Sequence, residues 1–267
     1  MAVYHLQDKV VWITGASSGI GLACARLCAA AGAELILSAR RQDVLEQVRQ
    51  SLPNPDRHLV IPFDMQNEQQ LQQAFTQVQA SKGRIDWLIN NAGLSQRALI
   101  SETSMQTERK IMEVDYFSHI HLTKTVLPML IAQQSGHIVF ISSVAGLVGT
   151  QYRASYSAAK AAIHMWANSL RAEVQPLGIQ VSVVFPGFVQ TNVSFNALNG
   201  EGLAQNHQDD AIESGLNADD FAKEMLSALM KGREYIVVAG IKEKLGVWLS
   251  RLSPPLLYKM IRKVKVK

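Results

Sequence analysis

Cysteine is nearly absent: the 267 residues contain two, Cys24 and Cys28. Two thiols cannot make a disulfide framework, and four residues apart on an expected helix they suit the core better than a metal. Long hydrophobic runs are also missing, since no apolar stretch reaches the ~18 residues of a membrane span. Residues 1–9 are too short and too polar for a signal peptide, which leads to the expectation of a reducing, cytoplasmic setting. Positive charge is scarce over most of the chain. Eight of the 26 Lys and Arg fall in residues 241–267 beside one acidic residue, Glu243, which leaves 1–240 with 18 cations against 21 carboxylates. Such a body lacks the broad positive field that DNA or RNA binding needs. No repeat or low-complexity linker marks a second domain.

What is present is a 48% apolar chain able to bury one full core. Short β-branched runs alternate with helical patterns from end to end, the signature of βαβ units. Strands are expected at 10–14, 34–38, 58–62, 86–90, 137–142, 179–185 and 235–238, and helices at 19–31, 42–50, 68–80, 107–133, 155–177 and 218–230. The predicted fold is α/β: a single-domain, Rossmann-type, doubly wound seven-stranded parallel sheet over 1–240. Residues 192–217 are polar, Gly- and Asn-rich and longer than an ordinary connection, so they are read as a substrate lid.

The first strand runs into Thr14-Gly15-Ala16-Ser17-Ser18-Gly19-Ile20-Gly21. Glycines at 15, 19 and 21 allow a tight turn and a close backbone approach to a pyrophosphate on the N-terminus of the next helix. Selection between dinucleotides falls to the end of the second strand, where an acidic residue would accept from a ribose 2′-OH. The segment there is Leu37-Ser38-Ala39-Arg40-Arg41. Two guanidiniums suit a 2′-phosphate, so NADP(H) is expected; the plainer alternative is a solvated helix start.

Tyr156 and Lys160 stand at i and i+4 of a helical pattern, one above the other. A phenol ionises near ~10 in water, so acid–base work near neutrality needs a cation close by, and Lys160 lowering the Tyr156 pKa would meet that need. Ser143, thirteen residues before Tyr156 at the end of the fifth strand, has a hydroxyl able to hold a substrate oxygen. Gly15, Asn90 and Ser143 all fall at strand carboxyl ends, where open α/β sheets place ligands.

Taken in order, these motifs resemble the compact single-domain branch of the short-chain dehydrogenase/reductase family, over about residues 8–240. The motifs are TGASSGIG at 14–21, Asp64 after the third strand, Asn90-Asn91-Ala92-Gly93, Ser143 with Tyr156 and Lys160, and Pro186-Gly187-Phe188-Val189-Gln190-Thr191. The resemblance implies that the glycine loop with Ser17, Ser18, Gly19 and Ile20 holds the pyrophosphate. It places Asp64 and Met65 at the adenine, and Asn90, Asn91, Ala92 and Gly93 beside the adenosine. Lys160 would also hold the nicotinamide ribose, while Pro186, Gly187, Val189 and Thr191 would border the carboxamide end. Hydride would pass between nicotinamide C4 and a carbinol carbon, with Tyr156 exchanging the proton. One position departs from the pattern: Asp115 stands where the family carries an Asn that helps lead protons from the lysine to solvent. A carboxylate there would stabilise the Lys160 ammonium and raise the pH at which oxidation is fastest.

Leu94 to Arg97, residues 144–151, Phe188 and the 192–217 segment are expected around the substrate. Their apolar members Leu94, Val144, Leu147, Val148 and Phe188 suggest a hydrophobic ketone, aldehyde or secondary alcohol. Alternatives are a carrier-linked 3-oxoacyl reductase and an NADP(H)-sensing protein without turnover. His119 and His121, two apart on one helix, make a poor metal pair, so no metal is expected; Met165 and Trp166 read as packing. The resemblance implies a homodimer or homotetramer. In the tail, Ile241, Leu245, Trp248 and Leu252 recur with helical spacing up to Pro254-Pro255. A second basic segment follows, containing Lys259, Arg262, Lys263, Val264, Lys265 and Lys267. Such a tail packs on the body or a partner subunit, stays a solvated end, or lies peripherally on an anionic membrane.

Overall fold

The computed structural model describes residues 6–262. The β-branched runs become strands β1 (Val10–Thr14), β2 (Glu34–Ser38), β3 (Leu59–Val60), β4 (Trp87–Asn90), β5 (Gly136–Ile141), β6 (Ile179–Pro186) and β7 (Tyr235–Val238). They pair in the order β3-β2-β1-β4-β5-β6-β7, every pairing parallel. This is the expected doubly wound seven-stranded sheet. Strand order reverses between β1 and β4, so the connections leave on opposite faces there and open a crevice at the strand carboxyl ends.

Helices α1 (Gly19–Ala30), α2 (Gln42–Ser51) and α8 (Ala218–Met230) cover one face, burying Cys24 and Cys28 with Val11, Leu35 and Phe221. Burial pushes the Cys28 thiol up to about 12 and Cys24 well above its ordinary value, which leaves both inert. Helices α3 (Glu68–Lys82), α5 (Ser118–Gln133) and α6 (Ala154–Val174) cover the other face over Trp12, Phe140 and Phe185. Trp166 packs edge-on to Phe140, but Met165 is exposed, so packing accounts for only one of that pair.

Three elements differ from expectation. β3 has two residues instead of five because the His58 ring, not its backbone, accepts from Leu35 N at 3.1 Å; pairing persists beyond it through Ile61 N to Leu37 O at 3.0 Å. The single helix expected over 107–133 is α4 (Met105–Met112), a π-helical turn over Glu113–Phe117, and α5. Such a turn inserts one residue into the hydrogen-bond ladder and is a frequent mark of functional sites. α6 ends at Val174, where Pro176 takes the chain into a 3₁₀ turn over Gln175–Leu177.

Residues 192–217 contain only α7 (Asp210–Glu213) and isolated bridges, among them Gln96 with Leu198 and Val189 with Leu216. The tail forms α9 (Ile241–Leu252) and α10 (Pro254–Ile261), broken at the prolines as expected. Lys263, Val264, Lys265 and Lys267 lie outside the described residues. Glu243 fixes the rotation of α9: its Oε1 accepts from Phe188 N at 3.3 Å, and one turn on Val247 joins Leu257 against Val148. The stripe Ile241, Leu245, Trp248 and Leu252 is thereby turned to solvent, with Trp248 62% exposed. The tail thus packs on the body, as one of its readings expected, but through Val247 and Leu257 and not through that stripe.

Candidate active site

A cleft of about 850 Å³ runs along the strand carboxyl ends. At its nucleotide end the chain turns from β1 into α1 through Gly15, at φ +67°, and Gly19, at φ +54°. Thr14 Oγ1 accepts from the backbone N–H groups of Asn91 at 3.0 Å and Ala92 at 3.1 Å, which locks the loop after β4 beside the glycine turn. A Cβ on Gly21 would lie 2.3 Å from Gly15 O and 2.6 Å from Asn91 Nδ2, so only glycine permits this approach. The Ser18 side chain makes no cap hydrogen bond and the first turn of α1 carries no acidic residue. Ser18, Gly19 and Ile20 line the cleft at this helix start, a chemistry that fits a dinucleotide pyrophosphate.

Ser17, Ser18, Gly19 and Ile20 line this end, as do Arg40 and Arg41 beyond β2. Both arginines are exposed, and no carboxylate accompanies them at the strand end. Asp64 and Met65 also line the cleft, while Asp64 Oδ1 accepts from Gln66 N at 3.0 Å and so caps its own turn. Asn91, Ala92 and Gly93 border the middle, and Pro186, Gly187, Val189 and Thr191 the far wall. Asn90 is a correction: it is fully buried and donates to Thr123 Oγ1 at 3.1 Å, pointing away from the cleft.

Tyr156 and Lys160 meet Ser143 across the mouth of β5. The Lys160 Nζ lies 5.7 Å from the Tyr156 ring centroid and donates to Ile141 O at 3.2 Å. Ser143 Oγ accepts from Ala145 N at 3.1 Å at the start of a 3₁₀ turn. A Cβ on Gly146 would stand 2.7 Å from the Lys160 carbonyl carbon, so this turn lies flush on α6 and fixes Ser143 relative to Tyr156. The same turn overturns the expected substrate role of Val144, Leu147 and Val148, whose side chains pack into the core and beneath α9 and α10. Leu94 and Phe188 do line the cleft.

Asp115 occupies the π-helical turn, fully buried, with Oδ1 accepting from Leu94 N at 2.7 Å and standing 4.0 Å from Lys160 Nζ. Burial pushes its ionisation up to about 6, against the pull of the Lys160 ammonium and the Leu94 N–H. At neutral pH it is therefore mostly a carboxylate paired with Lys160. His119 is buried beside it, its Nε2–H donating to Ala92 O at 2.7 Å. Burial first and Lys160 second push its ionisation down to about 3, so it stays neutral. Among the described residues no cluster of three His, Cys, Asp or Glu side chains is arranged to hold a metal ion.

Sequence reasoning missed a buried cluster on the lid side of the cleft, where Arg153 and Arg97 meet Asp209. Arg153 had a readable signal, since it stands three residues before Tyr156, at the N-cap of α6. Asp209 had none, because only the fold carries the 192–217 segment back over residues 95–97 through Leu198 N to Ser95 O and Arg97 N to Leu198 O, both 2.8 Å.

The model of the short chain dehydrogenase family matches residues 9–201. The chain is 39% identical over 264 residues to dehydrogenase/reductase SDR family member 7B of Danio rerio, covering 96% of this chain and 85% of that one. It is 39% identical over 268 residues to the Drosophila melanogaster SDR family protein 7-like, covering 98% and 82%. A short-chain dehydrogenase from Streptomyces avermitilis superposes with a TM-score of 0.83 at 30% identity over 96% of this chain and 99% of that one. A Burkholderia phymatum family structure in complex with NAD gives the same TM-score at 24% identity over 98% of both chains, a likeness of fold. On the parallel sheet, the glycine turn and these matches together, the chain belongs to the short-chain dehydrogenase/reductase family of oxidoreductases, which use a nicotinamide cofactor.

Proposed function

We propose that the protein is an NADP(H)-dependent reductase or dehydrogenase acting on a ketone, aldehyde or secondary alcohol with a hydrophobic portion. The observation that carries this reading is the meeting of Ser143, Tyr156 and Lys160 at one end of a cleft whose other end has the glycine turn, Arg40 and Arg41. When bound, the nicotinamide supplies or accepts the hydride. Tyr156 exchanges a proton with the substrate oxygen, Ser143 holds that oxygen beside the phenol, and the Lys160 ammonium favours the phenolate electrostatically. Arg40 and Arg41, with no acidic residue among 37–41 at the end of β2, support the 2′-phosphorylated cofactor. The test is cofactor oxidation with a carbonyl panel, NADPH and NADH side by side. NADPH is preferred, and Tyr156→Phe lowers turnover by roughly 10²–10⁴ while retaining NADPH binding. Equal use of NADH overturns the cofactor assignment, and tight NADPH binding without turnover favours a sensor.

We also propose that the tail rests on an anionic membrane surface. Trp248, Leu252, Leu256 and Tyr258 are exposed on α9 and α10, among the cations Lys242, Lys244, Arg251 and Lys259. Each such cation contributes about 1 kcal/mol near an anionic leaflet. The protein sediments with vesicles containing phosphatidylserine, with a blue shift of Trp emission that Trp248→Ser removes. Absence of sedimentation, or equal sedimentation with purely zwitterionic vesicles, rejects the contact.

A further inference from the structure

The Arg97–Asp209–Arg153 cluster carries more cation than it neutralises. Arg97, Arg153 and Asp209 are all more than nine-tenths buried. Asp209 Oδ2 accepts from Arg97 Nε at 2.6 Å and lies 2.5 Å from Arg97 Nη2. Arg97 Nη1 donates to Ser95 Oγ at 2.9 Å and Gln96 O at 2.6 Å, so Arg97 is fully engaged. The other carboxylate oxygen, Asp209 Oδ1, accepts from Gln205 Nε2 at 3.2 Å. Arg153 is left with a 3.5 Å contact from Nη2 to the oxygen that Arg97 already holds, and its buried Nε has no partner. Two guanidiniums thus share one carboxylate. A buried charge is normally paired and hydrogen-bonded, because removing it from water is costly.

Arg153 and Arg97 both line the cleft, and the Arg153 guanidinium stands 5.2 Å over the Phe188 ring. Among the described residues on the cleft wall, Tyr156 is the other group whose negative charge favours the Arg153 guanidinium, and it does so only as the phenolate. Lys160 has its own counter-ion in Asp115, Lys110 adds another cation to the wall, and the acidic lining residue is Asp64, at the far end beside β3. The cofactor does not meet the need either, since the amides and arginines suited to its phosphates lie around the glycine turn and β2. Beside Arg153 the wall turns apolar through Leu94, Phe195 and Leu203.

We infer that the substrate is an anionic amphiphile, a carbonyl compound or alcohol bearing a carboxylate or phosphate that Arg153 binds next to the reacting carbon, with its apolar chain along the lid. Asp209 holds Arg153 in place and favours its charge, whereas the neighbouring Arg97 cation opposes it and adds to the demand for an anion. The inference rests on the oxidoreductase reading above and narrows its substrate class. A guanidinium presents paired donors in a fork matched to either oxyanion.

The experiment compares matched pairs with NADPH: 2-oxoheptyl phosphate against 1-hydroxyheptan-2-one, and 4-oxononanoate against its methyl ester. The wild type favours the anionic member of at least one pair by about tenfold or more in kcat/KM, and the pair that responds tells phosphate from carboxylate. Arg153→Gln collapses that ratio, chiefly through KM for the anionic member, and Arg153→Lys restores part of it. Equal use of neutral and anionic members, or a ratio unchanged in Arg153→Gln, overturns the inference while leaving the oxidoreductase reading intact. If no carbonyl is reduced, that reading fails separately. Calorimetry with octyl phosphate and nonanoate then decides: saturable binding lost in Arg153→Gln supports the anion site, and absence of binding to the wild type overturns it. Should Arg153→Gln fail to fold by circular dichroism, the wild-type ratios and Arg153→Lys decide between the same two outcomes.

Discussion

Asp115 sits where one atom changes the electrostatics of the whole catalytic group. Its carboxylate lies 4.0 Å from the Lys160 ammonium and so offsets part of the field with which Lys160 favours the Tyr156 phenolate. Asp115→Asn removes that offset while keeping an oxygen able to accept from Leu94 N. The limb of the oxidation pH–rate profile that rises with pH, where the general base loses its proton, is expected to move to lower pH; an identical limb in both proteins would rule the coupling out. This departure was visible in the sequence because the surrounding motif is ordered, so a single odd residue stands out. The Arg153 imbalance was not visible, since it depends on Asp209 being taken by Arg97, and all three come from different parts of the chain.

Among the elements, the β1–α1 turn is the most exacting. Gly21 lies inside α1, where glycine is ordinarily a liability, yet a Cβ there would overlap Gly15 O at 2.3 Å. Gly21→Ala is therefore expected to push the turn away from the loop after β4, cost about 1–3 kcal/mol of stability as overpacking does, and weaken NADPH binding at least tenfold. Calorimetry and thermal melting check both, and unaltered affinity would show that the turn yields without effect. The π-helical turn at Glu113–Phe117 is the opposite case. One inserted residue barely disturbs a 3.6-residue pattern, so 107–133 reads as one helix until the ladder itself is seen.

The whole molecule has an acid sensitivity that follows from three buried groups. Burial pushes the ionisation of His119 from 6.5 to about 3 and of His137 from 6.5 to about 4, so between those limits the unfolded chain binds more protons. Their contribution is present above pH 6.5 and is lost as pH falls. Asp115 acts the other way: its ionisation rises from 3.8 to about 6, so the folded state takes the extra proton and gains as pH falls through 6. Two groups oppose one, and acidification from pH 7 to 4 is expected to cost on the order of 4 kcal/mol. A melting midpoint independent of pH across 6.5 to 4.5 would refute this balance.

Alternating β-branched runs and helical periods determined the parallel sheet by themselves, because burial on both faces demands uninterrupted apolar strands. Gly15, Gly19, Tyr156 and Lys160 were legible because each answers to a local rule of turn geometry or helical spacing, and Ser143 because it closes a strand whose carboxyl end must face the crevice. Tertiary structure decided what depends on contacts distant in the chain. It turned Asn90 inward to Thr123, put Val144 and Val148 under the tail, and rotated α9 through Glu243 so that its apolar stripe faces solvent. It also left Arg153 short of a counter-ion. Periodicity reveals that a helix has two faces, but only packing chooses which one is covered, and only packing allots one buried carboxylate among two arginines.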